Sequence, residues 1–259
     1  MKITLITGAT GGLGKAFADE FAKHGNNLLL VGRNESKLNE LKETILSKYK
    51  VEVLTYACDL KENDSCKKIK EFAESKELFV NILINNAGFA EFGEFANTSL
   101  ERHLEMVDVN VRALVELTHL FMQDMIKNHE GKIMNLASIA AFCGGPYMST
   151  YYASKSYVLN FSEGICKELK KTGVTVTALC PGTTATGFEK AAHLDNSKLF
   201  KTLRVTTPDK VATYAYKKLM KGKEIAIHGW TNRVLIFSLR LVPRKLARSV
   251  ICKIQAKRG

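Results

Sequence analysis

Three residues close together in the chain have the types needed to move a proton. Tyr151 and Lys155 lie four apart in the stretch 149–171, where the pattern after Gly144-Gly145-Pro146 predicts a helix, so their side chains share one face, one turn apart. Ser138 ends a predicted buried strand over 131–137 and faces the start of that helix. A phenol is a poor acid or base at neutral pH because its unperturbed pKa is about 10, and a neighbouring ammonium is expected to favour the phenolate. From the other side, the Ser138 hydroxyl can hydrogen-bond a substrate carbonyl, placing an acid and a polariser around one oxygen atom. Tyr152 has Ser156 at the same spacing and gains no cation. A Tyr and a Lys at helical spacing are common, so this triplet acquires meaning only beside a hydride donor.

The elements upstream supply a place for one. Residues 2–7 are a short apolar run, Gly8-Ala9-Thr10-Gly11-Gly12-Leu13-Gly14 is a glycine turn, and 15–24 carries Phe17, Ala18 and Phe21 at helical spacing. Such a turn lets backbone approach a diphosphate and aims the first amides of the helix at its charge. The spacing is Thr-Gly-x-x-x-Gly-x-Gly, unlike the common G-x-G-x-x-G fingerprint. A second strand over 27–31 ends in Gly32-Arg33-Asn34. About 20 residues after the turn, a carboxylate holds the ribose 2′-hydroxyl of NAD, whereas an arginine accommodates the 2′-phosphate of NADP. Arg33 has no acid beside it, so the cofactor expected is NADP; the competing reading is a surface arginine opening the helix 35–47.

Strands and helices go on alternating: strand 51–57, helix 62–75, strand 81–85, a long helical segment 99–128, strand 131–137, helix 149–171, strand 174–180, a helix from Thr207-Pro208 to about 221, and a last strand 224–228. Asp59 either bonds an adenine or caps the next helix. Asn85-Asn86-Ala87-Gly88 ends the fourth strand, where the Asn side chains can bond local backbone and Gly88 permits close approach. Asn110 sits in mid-helix, unfavourable by propensity, and either faces solvent or bonds something specific. Pro181-Gly182 breaks a strand, and the hydroxyls after it, Thr184 and Thr186 among them, suit a nicotinamide carboxamide, phosphate oxygens or a helix cap. The poorly periodic stretch 188–204 suggests a lid or substrate loop.

Six cysteines are scattered without a C-x-x-C pair or a metal-type cluster with His, which fits reduced thiols in a cytoplasm and no metal. The first strand begins at Lys2, leaving no room for a cleavable signal, and no apolar run approaches the ~20 residues of a membrane span. Neither an internal repeat nor a low-complexity linker divides the chain.

Taken together, these residues resemble the short-chain dehydrogenase/reductase family. The likeness rests on Thr7-Gly8-x-x-x-Gly12-x-Gly14, Asn85-Asn86-Ala87-Gly88, Asn110, Ser138, Tyr151-x-x-x-Lys155 and Pro181-Gly182, in the family's order and spacing, and covers the chain from Lys2 to His228. It implies an α/β fold: a single Rossmann-type, doubly wound, mainly parallel seven-stranded sheet with helices on both faces, in a homodimer or homotetramer. It implies catalytic roles for Tyr151 as proton donor or acceptor, Lys155 lowering its pKa and holding the nicotinamide ribose, Ser138 orienting substrate, and Asn110 supporting a proton-relay water. The cofactor residues expected are Gly8, Thr10, Gly11, Gly12, Leu13, Gly14, Arg33, Asp59, Leu60, Asn86, Ala87, Gly88, Tyr151, Lys155, Pro181, Gly182, Thr184 and Thr186. Many NADP-using members carry a basic residue where this chain has Gly11, so NADP preference leans on Arg33, with help from Lys37. The reaction implied is hydride transfer between NADP(H) and a small-molecule carbonyl or alcohol. Phe89, Phe92, Phe95, Phe142, Tyr147, Met148 and Phe188 crowd the segments expected to frame the cleft, which points to a bulky apolar ketone of the steroid, bile acid or 3-ketoacyl type. The alternatives are a small hydroxy acid or hydroxy amino acid, and a non-catalytic NADP-binding sensor.

The net charge of +12 is uneven, because residues 230–259 hold eight Arg or Lys and no acid. This basic, amphipathic extension of the 1–229 catalytic domain, divided by Pro243, is expected to form two short helices. They either pack on a sister subunit, cover the substrate cleft, or make a peripheral contact with an anionic membrane. No recognisable nucleic-acid module is present, and no nucleic-acid partner is expected.

Overall fold

Short runs rich in Val, Ile and Leu build seven strands among the described residues: β1 Lys2–Thr7, β2 Leu28–Gly32, β3 Val53–Ala57, β4 Phe79–Asn85, β5 Gly131–Leu136, β6 Val174–Cys180 and β7 Ile225–Ile227. The computed structural model describes residues 1–187 and 205–255; the expected loop 188–204 lies outside them. The strands are parallel throughout, in the order β3-β2-β1-β4-β5-β6-β7. Chain direction across the sheet reverses between β1 and β4, the switch point at which parallel sheets open a crevice beyond their strand ends.

Near-continuous burial along β1, β2 and β6 follows from helices on both faces. On one face, α1 Gly12–Lys23, α2 Glu35–Leu46 and α7 Pro208–Met220 pack Phe17, Phe21, Leu38, Val211 and Leu219 on the sheet. On the other, α3 Ser65–Ser75, α5 Ala113–Lys127 and α6 Ser149–Glu168 contribute Ile69, Leu117, Phe121 and Ile165. α4 Leu100–Val107 precedes α5, and α8 Trp230–Leu239 and α9 Arg244–Gln255 follow β7 on either side of Pro243.

The long helical segment expected over 99–128 runs from Leu100 to Lys127 but is not α-helical throughout. Between α4 and α5 a π-helical turn, Asp108–Arg112, inserts a wider loop of backbone. α3 begins at Ser65 rather than 62, and β4 begins two residues earlier than its pattern suggests.

Candidate active site

Three glycines set the shape of the first loop. Gly8 takes a left-handed φ of 62° and approaches Ala87 so closely that a Cβ would stand 2.9 Å from its Cα. A Cβ on Gly14 would fall 2.2 Å from the Gly8 carbonyl oxygen, and one on Gly12 would meet Thr186 Cα at 2.7 Å. α1 has no side-chain cap at Gly11 and no acid in its first turn, so its leading amides are free to take an anion. A diphosphate group fits this cradle.

Across the switch point the ends of β1 and β4 are stapled. Thr7 Oγ1 accepts from the backbone N–H groups of Asn86 at 3.1 Å and Ala87 at 3.0 Å, and Asn86 Nδ2 donates to the carbonyls of Thr7 at 2.8 Å and Gly8 at 3.2 Å. The Asn85 amide, expected to bond local backbone, instead donates to Thr118 Oγ1 and Asn135 Oδ1 inside the sheet.

The π-helical turn positions two further loops. Asn110 is 1 % exposed, so the solvent-facing reading fails. Its Oδ1 accepts from the Phe89 N–H at 3.0 Å, and its Nδ2 donates to the Phe89 carbonyl at 2.9 Å and Ser154 Oγ at 3.1 Å. Two residues on, the Arg112 guanidinium donates to the carbonyls of Leu60 at 3.1 Å and Lys61 at 2.8 Å. Asp59 accepts from the Lys61 N–H at 3.1 Å, closing its own loop, and does not cap α3.

Ser138, Tyr151 and Lys155 meet where β5 ends and α6 begins. Ser138 hydrogen-bonds the Tyr151 phenol, and its Oγ accepts from the Ala140 N–H at 3.1 Å. Lys155 is 4 % exposed; its ammonium donates to the Leu136 carbonyl at 2.7 Å and lies 5.8 Å from the Tyr151 ring centroid. Burial pushes Lys155 down to about 8. Burial likewise raises the Tyr151 phenol, and the Ser138 hydrogen bond partly opposes the rise. The direction of the Tyr151 shift is therefore set by burial, against the lowering expected from Lys155.

All the residues expected at the cofactor site border one cavity of about 890 Å³: Gly8, Thr10, Gly11, Gly12, Leu13, Gly14, Arg33, Asp59, Leu60, Asn86, Ala87, Gly88, Tyr151, Lys155, Pro181, Gly182, Thr184 and Thr186. Ser138 joins them, while Asn110 stands behind Gly88, where a Cβ would meet Asn110 Oδ1 at 2.9 Å and Lys155 Nζ at 3.3 Å. Thr184 Oγ1 donates to the Gly182 carbonyl at 2.9 Å, so that hydroxyl closes its own turn.

The far end of the cavity belongs to the C-terminal helices. Leu235, Ile236 and Leu239 of α8, Val242, and Ala247, Val250 and Ile251 of α9 line it. Gln255 is fully buried and donates to the Tyr152 hydroxyl at 2.6 Å, which fastens the last turn of α9 beside the site. Of the possible roles for this segment, covering the cleft is the one seen. Among the aromatic residues expected to frame the cleft, Phe89 lines it together with Met148. Phe92 and Tyr147 pack on each other, Phe142 packs in the core, Phe95 stacks on His103 in solvent, and Phe188 lies outside the described residues. Sequence reasoning missed Lys61, Arg102 and Glu105 at the cleft; Lys61 pairs with Glu105 at 2.7 Å. Their only signal was proximity to Asp59 and Asn110 in the chain.

The family model of the short chain dehydrogenases matches residues 2–197. A 7beta-hydroxysteroid dehydrogenase of Mediterraneibacter gnavus is 31 % identical over 225 residues, 86 % of this chain and 84 % of that one. The very-long-chain 3-oxoacyl-CoA reductase of Homo sapiens is 30 % identical over 239 residues, 91 % of this chain and 72 % of that one. Among solved structures, one of a 7beta-hydroxysteroid dehydrogenase superposes with a TM-score of 0.85 at 28 % identity, covering 96 % of both chains. A short-chain dehydrogenase from Sphingobium yanoikuyae in complex with NADPH gives 0.82 at 28 % identity over 99 % of this chain and 98 % of that one. With a family model spanning most of its length and a glycine cradle leading to a Ser, Tyr and Lys at one strand end, this chain belongs to the short-chain dehydrogenase family of oxidoreductases.

Proposed function

We propose that this protein interconverts a carbonyl compound and its alcohol with NADP(H), and that its substrate is a bulky, apolar ketone of the hydroxysteroid or 3-ketoacyl class. NADP(H) supplies or accepts the hydride. Tyr151 delivers the proton to the carbonyl oxygen, and Ser138, already bonded to the phenol, donates to that same oxygen and orients it. Lys155 holds the nicotinamide ribose and, charged at neutral pH, stands where its ammonium favours the phenolate. Arg33, at the mouth of the cavity beyond β2, takes the 2′-phosphate.

The observation that carries the reading is the single cavity that runs from the uncapped end of α1 past Tyr151 to an apolar roof. Its volume of about 890 Å³ and its Leu, Ile and Val lining favour a large apolar substrate over a small hydroxy acid. The relatives named for 7beta-hydroxysteroid and very-long-chain 3-oxoacyl-CoA substrates support the same class. The bonded Tyr151 and Ser138 count against a sensor without catalysis. The free thiols of all six cysteines suit a cytoplasmic protein; a homodimer or homotetramer is the assembly proposed from the family, and the basic C-terminal helices add a peripheral contact with a membrane surface. No helix among the described residues is long and apolar enough to cross a membrane.

The test is NADPH oxidation with a panel of oxosteroids, 3-oxoacyl thioesters and small oxo acids. Turnover with the first two and not the third is expected. Turnover confined to small oxo acids overturns the substrate class, and none with any carbonyl overturns the enzyme reading.

A further inference from the structure

Four exposed large apolar side chains gather on α8 and just beyond it, and two of them, Leu241 and Trp230, are the most exposed of their kind among the described residues. Trp230, Val234, Phe237 and Leu241 are 72, 54, 62 and 75 % exposed. The spacing of four and three residues confines Trp230, Val234 and Phe237 to about 60° of helical arc, and Leu241 follows in the turn after the helix. Leu235, Ile236 and Leu239 occupy the other side and line the cleft. The helix is therefore apolar on both sides, and among the described residues the outer side has no cover. Exposed Arg240 and Arg244 adjoin the outer stripe, and the sequence from 230 onward contains no carboxylate side chain to neutralise them.

A second copy of the chain is a poor occupant for this face. An isologous contact pairs this face with itself, and neither α8 nor α9 brings an acid to meet the arginines of the other copy. An anionic lipid surface answers both features, since headgroup phosphates take the arginines and the acyl boundary takes the stripe, with the amphipathic indole at the interface. Deepening the membrane contact proposed above, and resting on it, we propose that the outer face of α8 docks this protein on an anionic bilayer, Trp230, Phe237 and Leu241 entering the acyl boundary.

Trp230 is the chain's single tryptophan, so its emission reports this face alone. The full-length protein is mixed with vesicles of phosphatidylcholine alone, or with phosphatidylglycerol added, at low and physiological salt; sedimentation, Trp230 emission and quenching by acyl-brominated lipid are read. Sedimentation with the anionic vesicles, a blue shift, quenching, and weakening by salt are expected. R240Q/R244Q should lower partitioning roughly 30-fold, and F237S/L241S should abolish the quenching. NADPH binding in solution shows that both variants are folded. Sedimentation with unchanged Trp230 emission leaves a membrane contact standing but overturns this face as its site. A protein that stays in the supernatant at low salt overturns both. A blue shift without lipid that grows with protein concentration and molecular mass assigns the face to a second copy and also overturns the proposal.

Discussion

The side-chain amide of Asn110 is bonded to Phe89 in both directions, accepting from its N–H at 3.0 Å and donating to its carbonyl at 2.9 Å. One side chain thus does for the loop after β4 what a neighbouring strand does inside a sheet. Asn110→Ala leaves both backbone groups and the Ser154 hydroxyl short of a partner, which costs about 2 kcal/mol. The urea midpoint should fall, and turnover should fall with it as the wall around Gly88 loosens. A variant as stable as the wild type would show that water replaces the amide, and the loop would have to be held elsewhere.

Tyr151→Phe removes the proton carrier and keeps the ring. NADPH binding should be nearly unchanged while kcat drops by about 10²- to 10⁴-fold. Single-turnover measurements with NADPH and a reducible ketone separate the two. Retention of most of the turnover assigns the proton to another group.

Lys155 carries a pH signature in the free protein. Its folded pKa is lowered from 10.5 to about 8, so below pH 8 the folded state holds a buried charge that the unfolded state hydrates. That penalty, about 3 kcal/mol, is fully present below pH 8 and is relieved as the pH rises towards 10.5. Lys155→Met removes the penalty and its pH dependence. The stability difference between variant and wild type, read from urea unfolding at pH 7 through 10, should shrink in favour of the wild type across that window. A difference independent of pH would mean that Lys155 titrates alike in both states. Differencing also cancels the opposite contribution of Cys66, whose thiol burial pushes up to about 12.

Arg33 lies exposed at the cavity mouth, directly after β2. A charge-assisted bond to the 2′-phosphate should favour NADPH over NADH by roughly 1.5 to 3 kcal/mol. Arg33→Asp should reverse the order of the two kcat/KM values. An unchanged ratio transfers the role to another cation at the mouth, and Lys61 is the candidate the cavity offers.

What could be read from the sequence was local. Gly8, Gly12 and Gly14 report a close approach within one turn, and Tyr151 and Lys155 share a helix face by spacing alone. Alternating strands and helices predict a parallel sheet with helices on both faces, while its order, β3-β2-β1-β4-β5-β6-β7, is read from the structure. Asn110 could not be resolved, because its partner Phe89 lies 21 residues away and is brought to it by a π-helical turn that periodicity does not signal. The direction of the Tyr151 shift was misread, because the cation four residues away is visible in the sequence and the desolvation around both groups is not. The C-terminal helices were ambiguous for a similar reason. Apolar residues at every angle of α8 give no single face, and only packing shows that Ile236 is buried while Phe237 is bare.

The bond from Gln255 to Tyr152 joins residues 103 apart in the chain. Tyr152 belongs to α6, which also carries Tyr151 and Lys155, so the last described turn of α9 is tied to the helix that bears the proton carrier. A chain cut after Gly229 would keep Gly8, Gly12, Gly14, Arg33, Tyr151 and Lys155 at the cavity and lose Leu235, Ile236, Leu239, Val250 and Ile251 from its wall. Holding a nucleotide and choosing a ketone are then tasks of different stretches of one chain.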